Sequence, residues 1–141
     1  MARALVLMGS GETSPTMVTP HQQILKTVTG KKFILDTPYG FQENADELTE
    51  KIRGYFEVNV GIKAEDARLR TQVDRAADIA NAIANINSAE WVFTGPGSPT
   101  YALKTWRETG ASEALKNLLT RGTLVVSSAA ALTVGTHTLP V

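Results

Sequence analysis

Two adjacent serines, Ser127 and Ser128, stand between a β-branched run and three alanines in the stretch 124–134, LVVSSAAALTV. Thr123 to Val126 has the composition of a buried strand, and Ala129-Ala130-Ala131-Leu132 that of a helix. A strand that breaks on a serine and turns at once into a helix has the shape of a nucleophile elbow. Such a turn pushes the hydroxyl beyond the sheet. The amide of the next residue, with the positive end of the new helix, then lies where an oxyanion would form. The turn is strained and the helix passes close to the strand, so the neighbours must be small. Ala129, Ala130 and Ala131 meet that demand, and the nucleophile is placed at Ser128, with Ser127 second. Val126 and Ala130 stand where the elbow pattern carries glycine. The same residues also suit a buried strand, a serine N-cap and an alanine-rich packing helix without chemistry.

A serine hydroxyl is a poor nucleophile at neutral pH until a base takes its proton. The chain holds two histidines. His21 falls at the start of an early helix and reads as a solvated or capping residue. His137 lies nine residues beyond Ser128 and reads as a strand residue. Glu12 is placed near the same crevice, although a carboxylate is an unusual base for serine.

These groups need elements to carry them. The apolar run Ala4-Leu5-Val6-Leu7-Met8 reads as a strand buried on both faces, which implies a parallel sheet covered by helices. It ends on Gly9-Ser10-Gly11-Glu12-Thr13, a turn whose backbone can approach a ligand closely. Thr19-Pro20 reads as the start of a helix ending at Gly30, and Lys32 to Asp36 as the second strand, closed by Thr37-Pro38-Tyr39-Gly40. Asn44 and Glu47 resemble a capping box, with a helix running to about Gly61. A third strand is expected over 67–73 and a helix from Asp74, with Ala76, Ile79, Ala80, Ile83 and Ile86 inward. Trp91-Val92-Phe93 is a short strand before Thr94-Gly95-Pro96-Gly97-Ser98-Pro99. Helices over 100–109 and from a Ser112 cap to Gly122 precede the elbow strand, and residues 135–141 read as the start of another strand.

Strands alternating with helices imply one α/β domain over residues 1–141, a doubly wound and mostly parallel sheet with helices on both faces. In such sheets the ligand crevice lies beyond the carboxyl ends of the strands. The loops 9–13, 36–40, 95–100 and 127–129 each follow an expected strand, so all four should gather at one edge of the sheet. That convergence is the pattern-level reason to expect a site.

The 141 residues carry 14 basic and 14 acidic side chains, which argues against nucleic acid or an anionic membrane as the main partner. With no cysteine, the chain has neither disulfides nor thiolate metal sites. The N-terminal apolar run is too short for a signal h-region or a membrane span, so a cytoplasmic protein is expected. Neither a metal nor a cofactor is implied.

SSAAAL, about thirty residues after GPGSPTYAL, resembles the cyanophycinase and peptidase E-like serine peptidases, in which the matching stretches read roughly GxSAGA and GGxxTxxL. The resemblance covers essentially the whole chain in order. It implies the class I glutamine amidotransferase-like fold, a flavodoxin-like three-layer sandwich with serine in place of the amidotransferase cysteine. Ser128 then aligns with the family nucleophile. The Ala129 amide is one oxyanion donor and Gly97 supplies the other, with Gly95 as its alternative. Ser98, Thr100 and Tyr101 line the substrate pocket, and Gly9, Ser10, Gly11 and Glu12 are similar to the opening glycine turn. The implied reaction is hydrolysis of an amide bond in a small, aspartyl peptide through an acyl-enzyme.

The family histidine lies farther beyond the serine than His137 does. Family members are longer than this chain, and Leu139-Pro140-Val141 reads as a stop inside the fold. An N-terminal part of a longer domain is therefore expected. Its sheet should keep an uncovered edge or face, which self-association into a homodimer or larger assembly would hide. The rival reading is a non-catalytic member of the same fold that binds a small molecule or serves in assembly.

Overall fold

The computed structural model describes residues 3–138. Strand Ala4–Met8 (β1) is followed by a 3-10 turn, Pro15–Met17, and helix Val18–Leu25 (α1). Strand Lys31–Leu35 (β2), the 3-10 turn Thr37–Tyr39 and helix Ala45–Gly54 (α2) come next, and α2 widens into a π turn at Tyr55–Val60. Strand Glu65–Ala67 (β3), helix Ala76–Ser88 (α3) and strand Ala89–Thr94 (β4) follow. Helices Pro99–Thr109 (α4) and Ala111–Leu118 (α5) lead to strand Thr123–Ser127 (β5) and a 3-10 segment, Ser128–Thr133. The five strands form one parallel sheet in the order β1-β5-β4-β2-β3.

Successive side chains of a strand face opposite ways, so one apolar run can feed two cores. Phe33, Leu35, Val92, Leu124 and Val126 pack with Ala82 and Ile86 of α3 and with Trp106, Leu115 and Leu118 of α4 and α5. Their strand neighbours Ile34, Trp91, Phe93 and Val125 turn to the other face, against Leu25, Ile52, Tyr55 and Phe56. Phe56 stands edge-on to both Trp91 and Phe93, with ring centroids 5.1 Å apart in each pair. Helices thus cover both faces, as the alternation of elements implies.

Several local expectations are corrected. β1 is an edge strand and is covered on one face only. Val6 and Met8 pack against the α1–α2 side, while Leu5 is 44% and Leu7 61% exposed, because no described helix reaches past α5 to shield them. β3 lies at 65–67 instead of 67–73, because side chains capture the backbone beyond it: the Leu69 amide donates to Asp36 and the Arg70 amide to Asp74. α1 ends at Leu25, short of Gly30, and α3 begins at Ala76, with Ala82 buried while Ala76 and Ala80 stay exposed. Asn44 occupies the N-cap of α2 without a capping side-chain bond. Gly110, with φ +85°, both ends α4 and starts α5, so Ser112 is not a cap, and α5 stops at Leu118 rather than at Gly122. Residues 135–138 form no strand, and 139–141 lie outside the described residues.

Candidate active site

β5 is bonded to β1 on one side and β4 on the other, so the chain leaving Ser127 emerges between the loops that follow those two strands. Ser127 is extended (φ −131°, ψ 157°) and Ser128 switches to φ 49°. Ser128 is the single non-glycine residue with a positive φ among the described residues. A residue with a Cβ is held there at a cost of roughly 1–2 kcal/mol, which the surrounding structure must impose. The chain therefore reverses abruptly at Ser128.

The segment after it is not the α-helix that the alanines suggested. It is a six-residue 3-10 segment, held by the Ala130 amide donating to the Gly95 carbonyl at 3.2 Å and the Thr133 hydroxyl donating to the Ala130 carbonyl at 2.6 Å. The tether across to Gly95 draws the first turn tight against the neighbouring loop. So short a segment carries no long helix dipole.

The Ser128 hydroxyl donates to the Glu12 carboxylate, with Oγ 3.1 Å from Oε1 and 3.2 Å from Oε2. Glu12 lies on the turn after β1, with its side chain folded inward, 7% exposed, onto the serine. Gly11, at φ +83°, reverses the chain just before it, and the Ser14 amide donates to the Gly11 carbonyl at 3.0 Å. Gly9, Ser10 and Gly11 are exposed at the rim. Gly95 is confined beside the Ser128–Glu12 pair: a Cβ there would stand 3.1 Å from Ser127 Oγ and 3.4 Å from Glu12 Oε1.

Gly97 lies on the loop after β4, exposed and at φ +135°. A Cβ at Gly97 would fall 1.8 Å from the carbonyl oxygen of Pro38, on the turn after β2. The Ser98 amide donates to that same carbonyl at 2.8 Å, and the Ser98 hydroxyl caps α4 by accepting from the Tyr101 amide at 3.1 Å. Thr100 is exposed on the first turn of α4. Tyr101 donates its hydroxyl to the Arg70 carbonyl and stands edge-on to Phe41, so it is committed to the wall of the β2 side. The loops after β1, β2, β4 and β5 thus meet at one edge of the sheet, and Glu12, Ser128, Gly95 and Gly97 gather there.

The histidines are placed otherwise than expected. His21 is fully buried, and its Nε2 lies 2.7 Å from the Glu12 carbonyl oxygen. Its position three residues into a helix gave the sequence no sign of burial; only its spacing four residues before Leu25 hinted at an inward face. His137 is exposed, off any strand, beside Lys104, Arg107 and Glu108 in a polar hollow of about 590 Å³. A second, more apolar cavity of about 490 Å³ lies between α4, α5 and the exposed side of β1 and β5. Neither hollow is lined by Ser128, Glu12 or Gly97. The hydrogen-bonded loop cluster, rather than either hollow, is where chemistry-bearing groups meet.

A charged cluster braces the β2 side. The buried Asp36 carboxylate accepts from the Leu69 amide at 2.8 Å and from Arg70 Nε at 2.9 Å, and Arg70 continues to Asp46 at 2.5 Å. Burial pushes Asp36 up, opposed by the Leu69 and Arg70 hydrogen bonds. Nearby Asp66 is pushed up to about 6, first by burial and then by the Asp36 charge. A raised carboxylate value means that the folded chain holds this proton more tightly than the unfolded one. The stabilisation is present below the usual value of 3.8 and is lost as pH rises through about 6. Asp66→Asn should therefore raise stability by roughly 1–2 kcal/mol near neutral pH and change it little near pH 4, which urea midpoints at the two pH values would check.

No curated protein matches the chain. The fold is similar to the crystal structure of a peptidase from an acI-B1 Actinobacterium, with a TM-score of 0.74 at 19% identity over 95% of this chain and 57% of that one. It is similar also to a peptidase E-like protein from Listeria monocytogenes EGD-e, with a TM-score of 0.66 at 18% identity over 91% of this chain and 59% of that one. The chain therefore spans less than two thirds of either structure. No helix among the described residues is long and apolar enough to cross a membrane. The sequence profile of peptidase family S51 matches residues 5–138, and the chain belongs to that family.

Proposed function

We propose that the chain carries the nucleophilic site of a serine hydrolase of the cyanophycinase and peptidase E type, which cleaves amide bonds in small peptides through an acyl-enzyme at Ser128. Aspartyl peptides are the substrates that the family resemblance suggests. The observation that carries this reading is the Ser128 hydroxyl, presented on a strained turn and hydrogen-bonded to the buried Glu12 carboxylate.

In the proposed reaction Ser128 Oγ attacks the substrate carbonyl carbon as its proton passes to Glu12. The electron pair of the carbonyl moves to oxygen, where the amides of Ala129 and Gly97 receive it. Collapse of the tetrahedral intermediate breaks the C–N bond, and Glu12 returns the proton to the departing amine. Water, deprotonated by Glu12, then attacks the ester carbonyl, and Glu12 passes that proton to Ser128 Oγ as the C–Oγ bond breaks, releasing the acid and restoring the serine. Gly9, Ser10, Gly11, Ser98 and Thr100 border the substrate, and Tyr101 supports the wall through Arg70. No cofactor or metal takes part in this scheme.

A fluorophosphonate probe tests it. The expected result is one adduct, located by peptide mapping at Ser128, with Glu12→Gln slowing its formation by about 10²-fold or more. The rival reading is a non-catalytic small-molecule-binding or assembly module of the same fold. Absence of an adduct on folded protein would decide for that rival. We also propose that the exposed Leu5 and Leu7 on edge strand β1 drive a homodimer or larger assembly. Sedimentation velocity should then show a species larger than the monomer that Leu7→Lys dissociates, and a wild-type monomer would refute it.

A further inference from the structure

Thr100, Leu103, Lys104 and Arg107, spaced three and four apart on α4, share one face of that helix. This face borders both hollows described above. Trp106, Leu115, Leu124 and Val126 line the apolar cavity of about 490 Å³, and Lys104, Glu108 and His137 line the polar hollow. Leu103, Arg107, Thr133 and Gly135 line both, so the two meet along that border.

Two features set this place apart from the rest of the surface. On three other helices or their caps, charges three residues apart pair with each other: Arg53 with Glu50, Arg75 with Asp78 and Lys116 with Glu113. Lys104 and Arg107 form no ion pair among the described residues, although Glu108 follows Lys104 at a spacing that permits one. The dipole of α4 favours a cation at Arg107 in its last turn, but gives no reason for Lys104 a turn earlier. The second feature is Trp106, which lines the apolar cavity, is 4% exposed and keeps its indole N–H without a partner among the described residues. A buried donor left unpaired is unfavourable and calls for an acceptor. Apolar walls, an unpaired donor and two unpaired cations at the border together match a hydrocarbon body with an anionic oxygen head. A volume of about 490 Å³ lies within the range of small-molecule sites.

We propose that this cavity binds a small amphipathic acid, whose hydrocarbon lies against Trp106, Leu115 and Leu124 and whose carboxylate is held by Arg107 and Lys104. The site is separate from the Ser128 cluster, and the proposal does not depend on that serine being reactive. Leu5 also lines the cavity, so a second copy of the chain docking on β1 is the competing occupant.

Isothermal titration calorimetry with octanoate tests the proposal, with 1-octanol and acetate as partial ligands. Octanoate is expected to bind at one site per chain, 1-octanol about tenfold or more weakly, and acetate not measurably, because each of the latter two lacks half of the match. Arg107→Gln and Lys104→Gln change exposed side chains, and each should weaken octanoate by about threefold or more while leaving 1-octanol unchanged. Octanoate should also shift the tryptophan emission, and the shift should vanish in Trp106→Phe, since Trp91 is fully buried in the opposite core. Equal affinity for octanoate and 1-octanol would reveal a nonspecific apolar surface and overturn the proposal, as would charge variants that leave octanoate binding unchanged. Absence of saturable binding in both the wild type and Leu7→Lys, the variant that removes a second copy from β1, would overturn it too. Binding by Leu7→Lys alone would support the site and show that a second copy covers it in the wild type.

Discussion

Ser128→Ala is expected to abolish fluorophosphonate labelling and to reduce amide hydrolysis by at least about 10³-fold, since removal of a nucleophile leaves only binding and oxyanion stabilisation. The substitution deletes one atom, the Oγ that donates to Glu12, and leaves β5 and the Gly95 tether intact. Ser128→Gly separates chemistry from strain. Glycine accepts φ 49° freely, whereas alanine at this position keeps the Cβ that makes the turn costly. Both variants should be unreactive, with Ser128→Gly as stable as Ser128→Ala or more stable by roughly 1 kcal/mol. Intact mass after labelling and urea midpoints read the two effects. Residual labelling in either variant at the Ser128 peptide would exclude this serine as the nucleophile. A clearly higher stability of the alanine variant would argue against strain at the turn.

Gly97→Ala should be the most destabilising single-methyl change at the site. Its Cβ would stand 1.8 Å from the Pro38 carbonyl oxygen and 2.7 Å from the Tyr39 amide nitrogen, both of them backbone. No rotamer relieves such a clash, so either the loop after β4 or the turn after β2 must move, and φ +135° is itself unfavourable for alanine. Strain and overpacking together give a loss of roughly 2–5 kcal/mol. The displaced loop carries the Ser98 amide off the Pro38 carbonyl and the Gly97 amide off the proposed oxyanion position, so labelling should fall as well. A urea midpoint within error of wild type would show that the two loops are not in the contact described. Gly9→Ala is the control, since a Cβ there meets no atom within 4 Å.

Much of the architecture was legible because it rests on local patterns. Glycine-rich or proline-rich turns after Met8, Leu35 and Thr94 announced the alternation of strands and helices, and Ser127-Ser128 before three alanines announced a sharp turn after β5. Spacing could not reveal that β1 lies at the sheet edge, because an apolar run looks the same whether one face or two are covered. Leu5 and Leu7 are exposed for that reason. The α-helix expected at Ala129 became a 3-10 segment because the Ala130 amide is taken by Gly95, a residue on another strand's loop. The strand expected at 67–73 was shortened by Asp36 and Asp74, which compete for its amides.

By itself the sequence determined the class of fold and the position of the nucleophile candidate, since both follow from which residue types stand next to one another. Only the tertiary structure decided what the serine faces. Strand order places β5 between β1 and β4, and so brings Glu12 to Ser128 across 116 residues of chain. The same packing buries His21 beneath the loop that carries Glu12 and leaves His137 outside. Side-chain partners at a sheet edge are set by the lateral order of strands, and lateral order is a long-range property that neighbouring residues do not encode.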